Sequence, residues 1–516
     1  MTSYNTVFIL FKYKSSFFQE FGLFSSNLYH FNYFYIECFL LGFLSWYFYF
    51  YLFNKKKLKN FNFFLAKIIF CIFILYSIRP VYKTYLFNKT FIWDSYTWFF
   101  ILFLTFFFFL FLFFLKNQLK NSFSLIKEIE FLSYFLLILL FLMLLVKSND
   151  LISMFICLEC STFLLMGLIF LQNSATANKE AGFKFFFLHA LASSTFIVAI
   201  LIFIFLYKTT NYQTLVYYFM FSNIIFKIYS QYLYLNILTY LALVLIFFFL
   251  MFKFSIFPFH FWIDSFYEGS SLLILIFFST VYKISIISFY FKMFFFLFIK
   301  CNNIFFYFVL FSVGYGAQIA FIQKKIKRYW AFSSINNFGF FFFSTIFCNY
   351  FWGLQVGFIF LFVYFIMTFF FFIILFFTRN ILTGHFIVYV TEFSFLKNKY
   401  LIWITSFLFL SLAGIPPFLG FFTKFFIFTG IIFVNFFFII ICFILYSILS
   451  AVYYLRILKQ MFFLQYFNSN SKFYFFINWY LKIVIQIFNI FLLFSFYSTN
   501  YLFNLSKLLI LKLTTF

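Results

Sequence analysis

The sequence predicts an all-α polytopic membrane protein with about 14 transmembrane helices, and three observations lead there. Of its 516 residues, 66% are hydrophobic and only 9% are charged, whereas a soluble domain carries roughly a quarter charged residues and about half apolar ones. Apolar runs of about 20 residues, the length one crossing needs, recur along the chain. The basic residues fall in short clusters between those runs, as in loops that set membrane orientation. A soluble enzyme is excluded, since no sphere of this size hides so much apolar surface. The net charge of +25 does not signal nucleic acid, because the basic residues form no single patch.

The composition is also skewed, with 115 Phe and 39 Tyr against 14 Gly and 4 Pro. Phe, Tyr, Lys, Asn and Ile have codons built from A and T, so the skew points to an AT-rich genome such as an organelle's. On that reading most phenylalanines are lipid-facing filler. The segment from Met1 to Phe24 mixes Lys12, Lys14 and Glu20 with aromatics. It has neither the basic start and cleavage site of a signal peptide nor the Arg-rich character of a transit peptide. The expectation is a chain made in the compartment that uses it.

Taken in order, the spans fall at 31–53, 61–79, 95–115, 129–147, 151–171, 183–206, 237–258, 271–291, 303–323, 330–349, 353–378, 401–427, 431–454 and 475–497. The longest connections, 207–236 and 455–474, read as loops. Loops after odd-numbered spans carry 18 Lys and Arg, including Lys55, Lys56, Lys324, Lys325 and Arg328. The other side carries 12, among them Lys83, Lys89, Lys147, Lys208 and Lys292. The excess places the odd loops on the matrix or cytoplasmic side and both termini opposite.

Seven cysteines are present, nearly all inside apolar runs, where a free Cys behaves as a small hydrophobe. Cys157 and Cys160 form a C-x-x-C in mid-span, too enclosed for redox or metal chemistry. No G-x-G-x-x-G and no cysteine cluster occurs, so the chain should hold no metal and no cofactor.

Six lysines sit inside spans: Lys67, Lys184, Lys253, Lys283, Lys424 and Lys482. Glu159 is the one acid well inside a span. A Lys at mid-membrane costs about 2.5–3.5 kcal/mol even on the lenient insertion scale, so several of them require a reason. Burial favours loss of the ammonium proton while an opposing charge resists it. A lysine held between the two can exchange a proton near neutral pH, as arginine cannot. Lys482 and Lys67 lie near span ends and are read as reaching the interface. Lys184 follows Glu180 by four residues, the spacing of a simple helical ion pair. Lys253, Lys283, Lys424 and Glu159 have no such escape.

Two spans carry helix breakers. Pro258 lies five residues after Lys253, and Gly414-Ile415-Pro416-Pro417 ends seven residues before Lys424. Proline removes a backbone donor, and freed carbonyls at membrane depth must meet protein or a water-filled cavity. Interrupted helices in corresponding halves point to a transport site.

Four stretches then read together. MFKFSIFPFHFWIDSFYEGSS (251–271), QKKIKRYWAFSSINNFGF (323–340), LSLAGIPPFLGFFTKFFIF (410–428) and EAGFKFFFLHALASS (180–194) resemble signatures of NADH dehydrogenase (ubiquinone) subunit 2. That family is an antiporter-like membrane subunit of respiratory complex I, and the resemblance covers roughly residues 90 to 460. The second and third motifs are shared with multi-subunit cation/proton antiporters.

The resemblance implies two inverted five-helix repeats with helices 7 and 12 broken. The first repeat would occupy 128–300 and the second 301–460. They would be preceded by 1–90 with two helices and by 91–127 with the third, and followed by 461–516 with the last. It also implies a proton relay through Glu159, Lys184, Lys253, Lys283 and Lys424, with His260 in the Pro-Phe-His motif and His189 as further candidates. His189 has no counterpart in the family pattern. NADH, FMN, iron–sulfur clusters and ubiquinone would reside elsewhere in the complex. Expected partners are other membrane-arm and accessory subunits and phospholipids such as cardiolipin. A stand-alone cation/proton exchanger and a non-pumping scaffold subunit are the rival readings.

Overall fold

The computed structural model describes residues 83–463 with short breaks at 88, 123–124, 172–175, 226–232, 301, 348–349, 381–385, 397–398 and 435–436. Beyond that stretch it describes only Glu37, 473–475, Gln486, 502–504 and 506–507. The expected first, second and fourteenth spans, Lys67, Lys482 and residues 464–472 of the expected 455–474 loop therefore lie outside the described residues, and 455–463 of that loop are helical instead.

A short antiparallel hairpin, β1 (Thr84–Leu86) and β2 (Phe91–Trp93), leads into the bundle. α1 (Ser95–Ser122), α2 (Leu125–Lys147), α3 (Leu151–Phe170) and α4 (Thr176–Tyr207) follow. At about 1.5 Å per residue each reaches the roughly 30 Å that an apolar bilayer core demands. α5 (Tyr212–Ile225) comes next, in the segment expected to be a loop. It is too short to cross, and it is tied in where the Tyr212 amide donates to Asn149 O at 2.9 Å. A run of 14 mostly apolar residues gives helix and loop readings little to choose between.

α6 (Leu233–Lys253) stops at the first break, and α7 (Ile263–Gly269) resumes after it. α8 (Leu272–Phe277), a π-helical turn (Phe278–Tyr282) and α9 (Lys283–Lys300) form one continuous rod. α10 (Asn302–Ile322), α11 (Ile326–Phe347) and α12 (Tyr350–Phe377) complete the centre. β3 (Thr378–Asn380) pairs with β4 (Phe473–Phe475), and a 3-10 turn spans Val390–Phe395. α13 (Lys399–Ala413), the second break, α14 (Leu419–Ile432) and α15 (Phe437–Phe463) close the bundle. Eleven of the fourteen spans thus have a helix or a broken helix among the described residues.

Phenylalanine is not mainly lipid-facing filler. Phe107, Phe108, Phe111, Phe135 and Phe277 are fully buried, and the Phe111–Phe135 and Phe135–Phe277 rings meet at 4.8 and 4.9 Å. Phenylalanine lines the exterior as well, as at Phe205 and Phe437, so the same side chain fills interior and exterior alike. α11 is enclosed along nearly its whole length, packing on α10, α12 and α7. Two of the buried lysines, Lys283 and Lys424, lie against its Phe338 and Phe340 rings.

Candidate functional site

The two breaks are built alike. At the end of α6, Ser255 N donates to Phe252 O (3.0 Å) and Ile256 N to Met251 O (2.9 Å). Ser255 holds φ 57°, which makes this a Schellman cap. At the end of α13, Gly414 N donates to Ser411 O (3.1 Å) and Ile415 N to Leu410 O (3.2 Å), with φ 83° at Gly414. Three residues beyond each cap lies a cis proline, Pro258 and Pro417. Read against each other, Phe254-Ser255-Ile256-Phe257-Pro258-Phe259 and Ala413-Gly414-Ile415-Pro416-Pro417-Phe418 match at the isoleucine, the second proline and the final phenylalanine. Each break leaves the negative end of a helix dipole inside the bundle, where a cation is favoured.

Lysines occupy both ends. Lys253 is the last residue of α6 and only 1% exposed. Its Nζ lies 3.7 Å from Glu159 Oε1 on α3 and 3.2 Å from His189 Nδ1 on α4. Lys424, on α14, donates to the carbonyl of Ala413 and to Ser450 Oγ on α15, both at 2.9 Å. The Ala413 carbonyl is one that the break sets free.

Between them sits Lys283, immediately after the π-helical turn, a feature frequent at functional sites. Its Nζ is buried and has no hydrogen-bond partner among the described residues. Instead it lies 4.2 Å from the centre of the Phe338 ring and 5.6 Å from that of Phe278. Cation–π attraction offers about 2 kcal/mol in so dry a place, less than the loss of hydration. The site therefore demands water or a neutral amine.

The three lysines are joined through α11. Phe338 packs at 5.4 Å on Phe254, the neighbour of Lys253, and Phe340 lies 5.5 Å beneath Lys424. On the same helix, Asn336 donates to Tyr453 OH at 2.8 Å and Asn337 to Tyr454 OH at 3.1 Å. These tyrosines stand one turn from Ser450. The acceptor of Lys424 and the acceptors of the α11 amides thus lie within about one turn of each other on α15.

The other candidates are dispersed. Lys184 pairs with Glu180 at 2.5 Å, and both side chains are more than half exposed; it is not brought into the line. His260 shares a 2.9 Å hydrogen bond with Tyr315 OH and stacks near Phe257 and Phe261, away from Lys253. Cys157 and Cys160 are free thiols flanking Glu159 on α3.

Three residues were misread from sequence. Lys292, counted with the loops, is buried in α9 and donates to the carbonyls of Val146 (2.5 Å) and Ser148 (2.6 Å) at the end of α2. Lys147, also counted as a loop charge, is fully buried, paired with Glu37 and lying 4.5 Å from the Trp93 ring centre. Glu37 is therefore a second acid inside the bundle, and at 2% exposed it is more fully enclosed than Glu159. Their positions near the ends of apolar runs gave no sign that neighbouring helices would cover them. The asparagine and tyrosine pairs on α11 and α15 were also missed; adjacent buried polar residues in an apolar run were the available signal.

Comparison with known proteins bears on the fold and the family. NADH-quinone oxidoreductase subunit N 1 of Thermodesulfovibrio yellowstonii is 28% identical over 79% of this chain and 85% of its own length. NADH-ubiquinone oxidoreductase chain 2 of Marchantia polymorpha is 27% identical over 62% of this chain and 64% of its own. A chain of respiratory complex I from Thermus thermophilus has the same fold, with a TM-score of 0.71 at 20% identity over 91% of this chain and 98% of that one. Residues 148–450, which hold every buried lysine of the line, match the transmembrane family model. The chain belongs to the NADH:quinone oxidoreductase/Mrp antiporter transmembrane family.

Proposed function

We propose that this chain is a proton-translocating membrane-arm subunit of respiratory complex I. The observation that supports it best is the enclosed series Glu159–Lys253, Lys283 and Lys424, set at two interrupted helices inside one bundle. Three ammonium groups of this kind are too costly to be scaffold. Approach of Glu159 holds Lys253 protonated, and separation frees its proton to pass by way of Lys283 toward Lys424. Reduction of quinone elsewhere in the complex supplies the drive. NADH, FMN, iron–sulfur clusters and ubiquinone belong to partner subunits, and this chain contributes no redox centre.

The AT-driven composition supports a mitochondrial inner-membrane location with organellar synthesis, and anionic phospholipids such as cardiolipin are the expected surroundings. The two-repeat division at residues 128–300 and 301–460 is supported by the like construction of the breaks. Replacing Lys253 or Lys424 with Met should reduce pumping-linked NADH:quinone turnover at least tenfold while the complex still assembles. Full activity in both variants refutes the proposal. Sodium-linked pH changes in vesicles holding only this chain would favour a stand-alone exchanger.

A further inference from the structure

We propose that His189 shares the proton of Lys253, so that the central site sets two adjacent bases against one carboxylate. This rests on the relay reading above. Lys253 Nζ lies 3.2 Å from His189 Nδ1. An ammonium only donates, so the ring accepts through Nδ1 and carries its own proton on Nε2. Nε2 is buried without a partner among the described residues. Beside it is a cavity of about 10 Å³ lined in part by Glu159, Thr162 and His189, close to the room that one water requires.

The imidazole is fixed in place. Phe185, Trp262 and Phe252 hold it with ring centroids at 4.1, 4.6 and 5.3 Å. The charged groups facing it are Glu159 from α3 and Lys253 from α6, while Trp262, the residue before α7, presents its ring. A purely structural histidine at this depth would have both nitrogens satisfied.

In the transfer, one Nζ–H bond of Lys253 breaks and an Nδ1–H bond of His189 forms. The ammonium becomes an amine with a free lone pair, and the imidazole becomes an imidazolium protonated at both nitrogens. The charge of the site is unchanged and nothing else is consumed. A positive partner stays beside Glu159 while Lys253 is free to exchange a proton with the Lys283 side.

The test uses the assembled complex in vesicles. His189→Asn keeps an acceptor oxygen near the Nδ1 position but cannot bind a proton, and His189→Gln offers a second shape should the first fail to assemble. Coupled turnover is expected to fall at least fivefold, with one titration lost from its pH profile and the complex intact on native gels. Unchanged turnover and pH profile in either assembled variant overturn the inference. So does a loss of turnover with the pH profile unmoved, which would make the ring mere packing. If Lys253→Met is equally harmless, it is the relay reading itself that fails.

Discussion

At the scale of single residues, chemistry follows from where each buried cation finds its acceptor. Lys424 is held by a carbonyl that exists only because α13 ends at Ala413, and the chain leaves that end through Gly414 at φ 83°. A Cβ there would stand 2.9 Å from Lys424 Cδ. Gly414→Ala should therefore cost about 1–2 kcal/mol from the left-handed backbone alone. It should also push Lys424 off its carbonyl, lowering both thermal stability in detergent and coupled turnover. Lys292 is a different case, since it satisfies two carbonyls at the end of α2. Lys292→Met should lower the melting temperature by an amount equivalent to about 1–3 kcal/mol. Glu159, Lys253, Lys283 and Lys424 were legible in the sequence because each interrupts a long apolar run. Lys292 and Lys147 were not, because their partners are remote in sequence and only folding covers them.

At the scale of elements, the breaks were legible from proline and glycine, whereas their common cap was not. Ser255 does in the first what Gly414 does in the second, and a serine in a left-handed conformation gives no compositional warning. The contact between α13 and α14 depends on Gly420, whose added Cβ would run into the Ser411 carbonyl. Gly420→Ala should separate the two helices and cost more stability than Gly414→Ala, measurable as loss of assembled complex. The connection between α7 and α11 is electrostatic, with Lys325 and Arg328 both gripping the Glu268 carboxylate. Partial burial pushes that carboxyl up, but the hydrogen bonds and charges of Lys325 and Arg328 outweigh it and leave it below the usual carboxylate range. Its stabilising effect is then full above about pH 4.3, the unfolded value, and is lost as pH falls through the lower folded value. The melting temperatures of wild type and Glu268→Gln should differ at pH 7 and converge in stronger acid.

At the scale of the whole molecule, enclosure is uneven. The stretch Leu272–Met293 is buried throughout, while α15 is only 28% buried and the long α4 about one third. Lys283 is thus shut in by this chain alone, whereas Glu159 keeps 15% of its side chain open in a cavity it shares with the exposed Phe163. Removing Lys147 and Lys292 from the loop tally leaves 18 basic residues against 10, so the charge asymmetry that orients the chain becomes stronger. Single cysteines at Lys324 and Lys208, both exposed in the loops that follow α10 and α4, should react with an impermeant reagent from opposite sides of a sealed vesicle. Labelling of both from one side would contradict the orientation. The two joints carry their cations differently: Lys253 precedes its joint and Lys424 follows, so Lys253 falls opposite Leu412 when the two joints are aligned. The joint and the position of its charge are therefore separable features, and a lysine moved from 424 to 412 would ask whether the membrane reads the joint or the side on which the charge stands.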